Sequence, residues 1–228
     1  MFNMTILFRI PTKTVELQPG DCMDRETFHA LYDAMPEGFK AELIGGVVMV
    51  PFAASSAHSD AHGIIMAWLN VYRAATPGVR ALDNTTVLLG PDSEPQPDAV
   101  LLVRPEHGGR TRVSDGYIAG PPELIVEVAY TSRNYDLNAK YRDYEAAGVL
   151  EYVVPLIERG RVEWFVLRDG AFRPLPPGED GLYRSEAFPG LWLDPAALLD
   201  GDVARVLNVL RRGLDAPEHA EFVARLGG

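Results

Sequence analysis

A chain of 228 residues that is 47% hydrophobic and 23% charged can bury one substantial core, and this composition excludes an intrinsically disordered protein. Its only cysteine, Cys22, excludes an intrachain disulfide and suits a reducing cytoplasm, and no run approaches the ~18 apolar residues of a membrane span. The net charge of −11 excludes a uniformly basic surface for nucleic acid, although residues 104–142 carry six basic against five acidic side chains, which permits a local cationic groove.

Residues 1–20 read as extended, punctuated by Pro11 and the Pro19-Gly20-Asp21 turn. The Met4–Phe8 run is too short for a signal core and has no basic lead-in, so a cytoplasmic protein is expected. Asp24 is placed to cap a helix over about 24–35 with Phe28, Leu31 and Tyr32 on one face. Residues 40–50 read as two strands around Gly45-Gly46, with Glu42 in the first. A small-residue loop at 51–56 then feeds a helix over about 59–74, where Ile64, Ile65, Trp68, Leu69 and Tyr72 recur at helical spacing.

Strand-like segments follow at 79–89, 99–103 and 124–129, separated by turn-rich connections. A turn at 131–134 leads to a helix over about 135–147, stopped by Gly148, and a strand at 151–157. Strands at 161–168 and 171–175 flank Asp169-Gly170, a hairpin signal. Asp194-Pro195 opens a helical segment, a helix over about 202–214 ends the ordered chain, and 215–228 reads as a frayed tail. The expected architecture is one α+β domain over 1–228, its core at about 24–199. Helix, three-strand meander, helix and strand surround a mixed sheet, extended or covered by the two hairpins.

The stretch 123–144, ELIVEVAYTSRNYDLNAKYRDY, concentrates the chemistry. Glu127 interrupts an apolar run, and an unpaired carboxylate in a buried strand costs several kcal/mol unless it finds a cation or takes up a proton. Lys140 is the nearest lysine downstream. On the helix Asp136, Lys140 and Tyr144 stand at i, i+4 and i+8 and share a face. In a meander the strand beginning at Asp98, after Pro97, neighbours that of Glu127, so both carboxylates can approach one point. Oxygen ligands of this kind suit Mg²⁺ or Mn²⁺, and an adjacent lysine can neutralise charge developing on a phosphoryl oxygen.

Plainer roles stand beside these. Asp98 suits a strand start, Asp136 suits the positive end of a helix dipole, Glu42 suits a solvated hairpin, and Glu127 with Lys140 suits a structural ion pair. His58 and His62 are four apart at a helix start, but no third ligand accompanies them, which favours a surface or substrate-facing role over zinc. There is no Gly-x-Ser-x-Gly elbow for a serine hydrolase and no P-loop lysine after Gly108-Gly109.

Taken together, Glu42-Leu-Ile-Gly-Gly, Pro97-Asp98, Val126-Glu127-Val128, Asp136, Lys140, Tyr144 and Gly148-Val-Leu-Glu-Tyr152 resemble the Uma-two family of restriction endonuclease-like proteins. That family lies within the PD-(D/E)XK nuclease superfamily, and the resemblance spans residues 24–199. It implies a restriction-endonuclease-like core and hydrolysis of phosphodiester bonds in nucleic acid, DNA above all. It also implies Mg²⁺ on Asp98 and Glu127, with Mn²⁺ able to substitute, and a homodimer that meets both strands. The chain departs from the superfamily pattern where the lysine of the E-X-K triplet would stand, since that position is Ala129. The resemblance implies that Lys140 takes over its task, and that Glu42 is an auxiliary acid. Two rivals remain at this point: a non-catalytic interaction protein on the same scaffold, and a metal-dependent hydrolase of small phosphates or nucleotides.

Overall fold

The computed structural model describes residues 17–51, 55–129 and 134–227. The extended reading of 1–16, the loop at 52–54 and the turn at 131–133 lie outside these residues, as does the side chain of Asp136.

Helix α1 (Arg25–Asp33) starts where Asp24 accepts a hydrogen bond from the Thr27 backbone N–H at 2.8 Å. Strands β1 (Glu42–Ile44) and β2 (Val47–Met49) pair antiparallel across Gly45 and Gly46, whose φ of 55° and 77° is the left-handed backbone such a turn requires. Helix α2 (Ser56–Ala75) is followed by β3 (Val79–Asp83), β4 (Val87–Leu88), β5 (Ala99–Val103), β6 (Arg112–Ser114), β7 (Tyr117–Ala119) and β8 (Leu124–Val126). Helix α3 (Asn134–Ala147) leads into β9 (Glu151–Leu156), β10 (Arg161–Arg168) and β11 (Ala171–Pro174). The short pair β12 (Tyr183–Arg184) and β13 (Trp192–Leu193) precedes α4 (Pro195–Leu199), α5 (Val203–Leu214) and α6 (Pro217–Leu226).

Six strands form the central sheet in the order β11-β10-β9-β8-β5-β3. Its neighbours are antiparallel except β8 and β9, which run parallel. A parallel pair needs a crossover, and α3 supplies it. Both sheet faces are covered, so the central strands are apolar at successive positions rather than alternating with polar residues. Leu101, Leu124 and Val126 meet Trp68, Tyr72 and the C-terminal helices on one face. Val100, Leu102, Ile125, Tyr152 and Val154 meet Tyr144 of α3 on the other. The expected mixed-sheet α+β fold, with a β3-β5-β8 meander between α2 and α3, is what forms.

Three expectations are corrected. The segment 79–89 is two strands in different sheets: Asn84 takes φ 44°, the chain leaves β3, and β4 pairs parallel with β7. Within the connection expected to hold only turns, β6 and β7 form a hairpin across Asp115-Gly116, with φ of 51° and 89°, the same dipeptide signal as Asp169-Gly170. The tail from 215 is not frayed but holds α6, with Pro217 in its first turn. His219, Phe222 and Leu226 fall on one buried face of α6, where His219 Nε2 lies 2.9 Å from Thr76 Oγ1 and the Phe222 ring meets Phe188 edge-on. Among the described residues no helix is long and apolar enough to cross a membrane.

Candidate active site

The β5–β8 ladder pairs Val100 with Ile125 and Ala99 with Val126. One step further on, Asp98 and Glu127 stand opposite each other at the same end of the sheet. Cross-strand neighbours of this kind have Cβ atoms ~5 Å apart. Side chains alternate along a strand, so both carboxylates share the face of Val100 and Ile125, the face covered by α3. The connection from β8 to α3 is short enough that the second and third turns of the helix sit over Glu127.

From those turns Lys140 extends its ammonium to Glu127 Oε1 at 2.9 Å, and Tyr144, one turn on, donates its hydroxyl to the same oxygen at 2.8 Å. Lys140 Nζ also lies 2.9 Å from Glu42 Oε1. Glu42 arrives from a separate hairpin, held because Leu43 and Glu94 exchange backbone hydrogen bonds and because Gln96 N–H donates to Glu42 Oε1 at 2.6 Å. Glu42, Glu127 and Lys140 are all buried. The structure thus brings together Glu42, Asp98, Glu127 and Lys140, and it adds Tyr144, which the sequence placed on the same helical face.

Electrostatics follow from this crowding. Burial pushes the Glu127 carboxyl up; Lys140 pulls it back, Asp98 and Glu42 push it up again, and it settles at about 7. Burial alone would lower Lys140, but Glu127 and Glu42 outweigh it and hold the amine charged, well above its ordinary range. Burial and the neighbouring Glu127 charge keep the Tyr144 hydroxyl protonated, so it remains a donor. Asp98 behaves oppositely to Glu127. Burial would raise it, yet the hydrogen bond and charge of His58, the Val128 N–H and Lys140 together hold it below the ordinary carboxylate value.

His58 and His62, expected at a surface or facing substrate, are half-buried and both reach Asp98. His58 Nε2 lies 3.5 Å from Asp98 Oδ1, and His62 Nε2 lies 2.9 Å from the Asp98 carbonyl oxygen and 3.2 Å from Asp83 Oδ1. Their spacing of four on α2 was the signal available for this, since it puts both rings on one side of the helix.

Among the described residues no three His, Cys, Asp or Glu side chains converge into a metal cage. The donor set does fit a hard divalent ion that keeps several waters and takes one or two protein carboxylates. Glu127 and Glu42 share the single Lys140 ammonium, and Asp98, opposite Glu127 on the neighbouring strand, adds a third carboxylate, a surplus of acidic groups that a cation would offset.

The fold is similar to that of a crystal structure of a "putative nuclease belonging to DUF820" from Anabaena variabilis ATCC 29413, with a TM-score of 0.58 and 16% sequence identity, covering 75% of this chain and 97% of that one. No curated protein sequence matches the chain. A family model does, over residues 25–196, from the first residue of α1 into α4 and including Glu42, Asp98, Glu127 and Lys140. With three quarters of its length inside that match, the chain belongs to the Uma2 family, whose description is "Putative restriction endonuclease".

Proposed function

We propose that this protein is a Mg²⁺-dependent endonuclease that hydrolyses phosphodiester bonds of DNA, with Mn²⁺ able to substitute. The observation that carries the reading is the buried pairing of Lys140 with Glu127 and Glu42 beside Asp98, across from Glu127 on the neighbouring strand. In this reading Asp98 and Glu127 hold the ion, which when bound supplies Lewis-acid stabilisation of a phosphoryl oxygen and a more acidic water. Lys140 carries a positive charge that its two carboxylate partners keep in place, ready to stabilise negative charge developing on the scissile phosphate. Glu42 is the auxiliary acid that aims Lys140, and Tyr144 fixes the Glu127 oxygen.

A single site cuts one strand, so cleavage of a duplex calls for two copies, and a homodimer belongs to the proposal. Cys22 as the sole cysteine fits a cytoplasmic setting. The net charge of −11 favours a second reading, hydrolysis of a small phosphate or nucleotide, which needs no long basic groove. Purified protein incubated with plasmid DNA and Mg²⁺ or Mn²⁺ is expected to nick and linearise it. Glu127→Ala and Lys140→Ala are expected to abolish that cleavage. Cleavage unchanged in both variants overturns the assignment, and phosphate release from nucleotides with intact plasmid selects the second reading.

A further inference from the structure

Asp98 is held by more than its strand. Its Oδ2 accepts the Val128 backbone N–H at 2.7 Å, its Oδ1 lies 3.5 Å from His58 Nε2, and His58 Nδ1 lies 2.9 Å from the Val128 carbonyl oxygen. These contacts close a ring: Val128 N–H to Asp98, Asp98 to His58, His58 back to the oxygen of Val128. The Val128 carbonyl oxygen only accepts hydrogen bonds, so Nδ1 presents its N–H there and leaves Nε2 facing the Asp98 carboxylate. Val128 directly follows Glu127, so the circuit ties the Asp98 carboxylate to the backbone that carries the other acid.

The geometry explains why two contacts matter. A carboxylate gripped through one oxygen still rotates about its Cβ–Cγ bond, whereas contacts on both oxygens set its plane. An ionised carboxylate offers about four acceptor positions, and the circuit takes one on each oxygen, leaving the others for a cation. The helix that supplies His58 is rigid: α2 runs from Ser56 to Ala75 and buries Ile64, Ile65 and Trp68. One turn along, His62 and the Asn84 N–H both reach the Asp98 carbonyl, at 2.9 and 3.2 Å. The residue is therefore fixed at both main chain and side chain from one helix.

We propose that His58 is a positioning residue that sets the plane of the Asp98 carboxylate for divalent-ion binding through its Nε2 contact; this rests on the reading of Asp98 as a metal ligand. Partners that orient metal ligands typically contribute ten- to a hundredfold in metal affinity.

The two ring nitrogens make different contacts, and this supplies the test. A glutamine at this position keeps an amide N–H at about the reach of Nε2, whereas an asparagine keeps one only at about the reach of Nδ1. Mn²⁺ is titrated calorimetrically into wild type, Asp98→Asn, His58→Gln, His58→Asn and His58→Ala, with thermal melts of the same samples confirming folded protein. The expected result is wild-type binding that is lost in Asp98→Asn, nearly retained in His58→Gln, and weakened about ten- to a hundredfold in His58→Asn and His58→Ala. Equal affinities for the Gln and Asn variants overturn the positioning role while leaving the metal site standing. Absence of Asp98-dependent Mn²⁺ binding in wild type overturns both.

Discussion

Lys140 and Glu42 lie 98 positions apart in the sequence and meet at 2.9 Å in the interior. The contact joins the crossover helix α3 to the hairpin β1–β2, two elements that otherwise belong to different parts of the fold. A lysine on α3 thus has a second carboxylate besides the one on β8, and this makes a buried ammonium tolerable.

Removing that ammonium should be costly. Lys140→Met leaves Glu127 and Glu42 buried without their cation, and the expected loss is about 3–5 kcal/mol of folding stability. Urea unfolding in the presence of EDTA measures it without any contribution from metal. Adding Glu42→Gln to Lys140→Met should recover part of the loss, because it removes one of the stranded charges. A double variant no more stable than the single would show that Glu42 and Lys140 are not energetically coupled.

Tyr144 donates to the Glu127 oxygen at 2.8 Å from a fully buried ring. Tyr144→Phe keeps the ring packing against Tyr152 and deletes only this hydrogen bond. Hydrogen bonds to charged groups contribute about 1.5–3 kcal/mol, so a loss in that range is expected in denaturant unfolding. A change below about 0.5 kcal/mol would mean that the bond contributes nothing net.

Glu151, far from the Lys140 cluster, predicts a pH dependence. Burial pushes its carboxyl up to about 7 against four donors: the Ala187 N–H, the Ser185 hydroxyl, the Glu186 N–H and the Trp164 indole N–H. The folded state then holds a proton that the unfolded chain, with its ordinary value of 4.5, releases earlier. The stability this group contributes is full below about 4.5 and is lost as pH rises through about 7. The wild type should therefore lose stability across that window, with a contribution from Glu151 on the order of 3 kcal/mol. Glu127, raised to about 7, and Asp143, raised to about 6, add in the same direction. Melts of Glu151→Gln from pH 4.5 to 7.5 should show a shallower fall, and an unchanged slope would remove Glu151 as a source.

A divalent ion that binds only the folded chain raises its melting temperature by mass action. At a hundredfold excess over its dissociation constant, Mn²⁺ should add about 2.7 kcal/mol to the wild type. Asp98→Asn and Glu127→Gln should show no such rise. An equal rise in all three proteins would place any bound ion elsewhere.

Periodicity and turn chemistry carried most of the fold. The helical spacing from Ile64 to Tyr72 marked α2, the apolar runs marked β5 and β8, and Asp169-Gly170 marked the β10–β11 hairpin. Asp115-Gly116 carried the same local signal for the β6–β7 hairpin, whereas the other two departures depended on partners out of sequence reach. Val87-Leu88 looks like a continuation of β3 until β7 is there to receive it. The stripe of His219, Phe222 and Leu226 has little to bury against until Tyr72 and Phe188 face it.

The sequence by itself determined that Glu127 had to meet a cation or take up a proton, because an unpaired carboxylate in an apolar strand is costly, and it offered Lys140 on the following helix as the partner. It also pointed to Asp98 standing one strand away, because successive strands separated by turn-rich connections read as a meander. Only the tertiary structure decided that Glu42 is buried rather than solvated, and that His58 and His62 both reach Asp98. Both depend on how a hairpin and a helix pack against the end of the sheet, and such packing is set by the whole core rather than by the residues near either side chain.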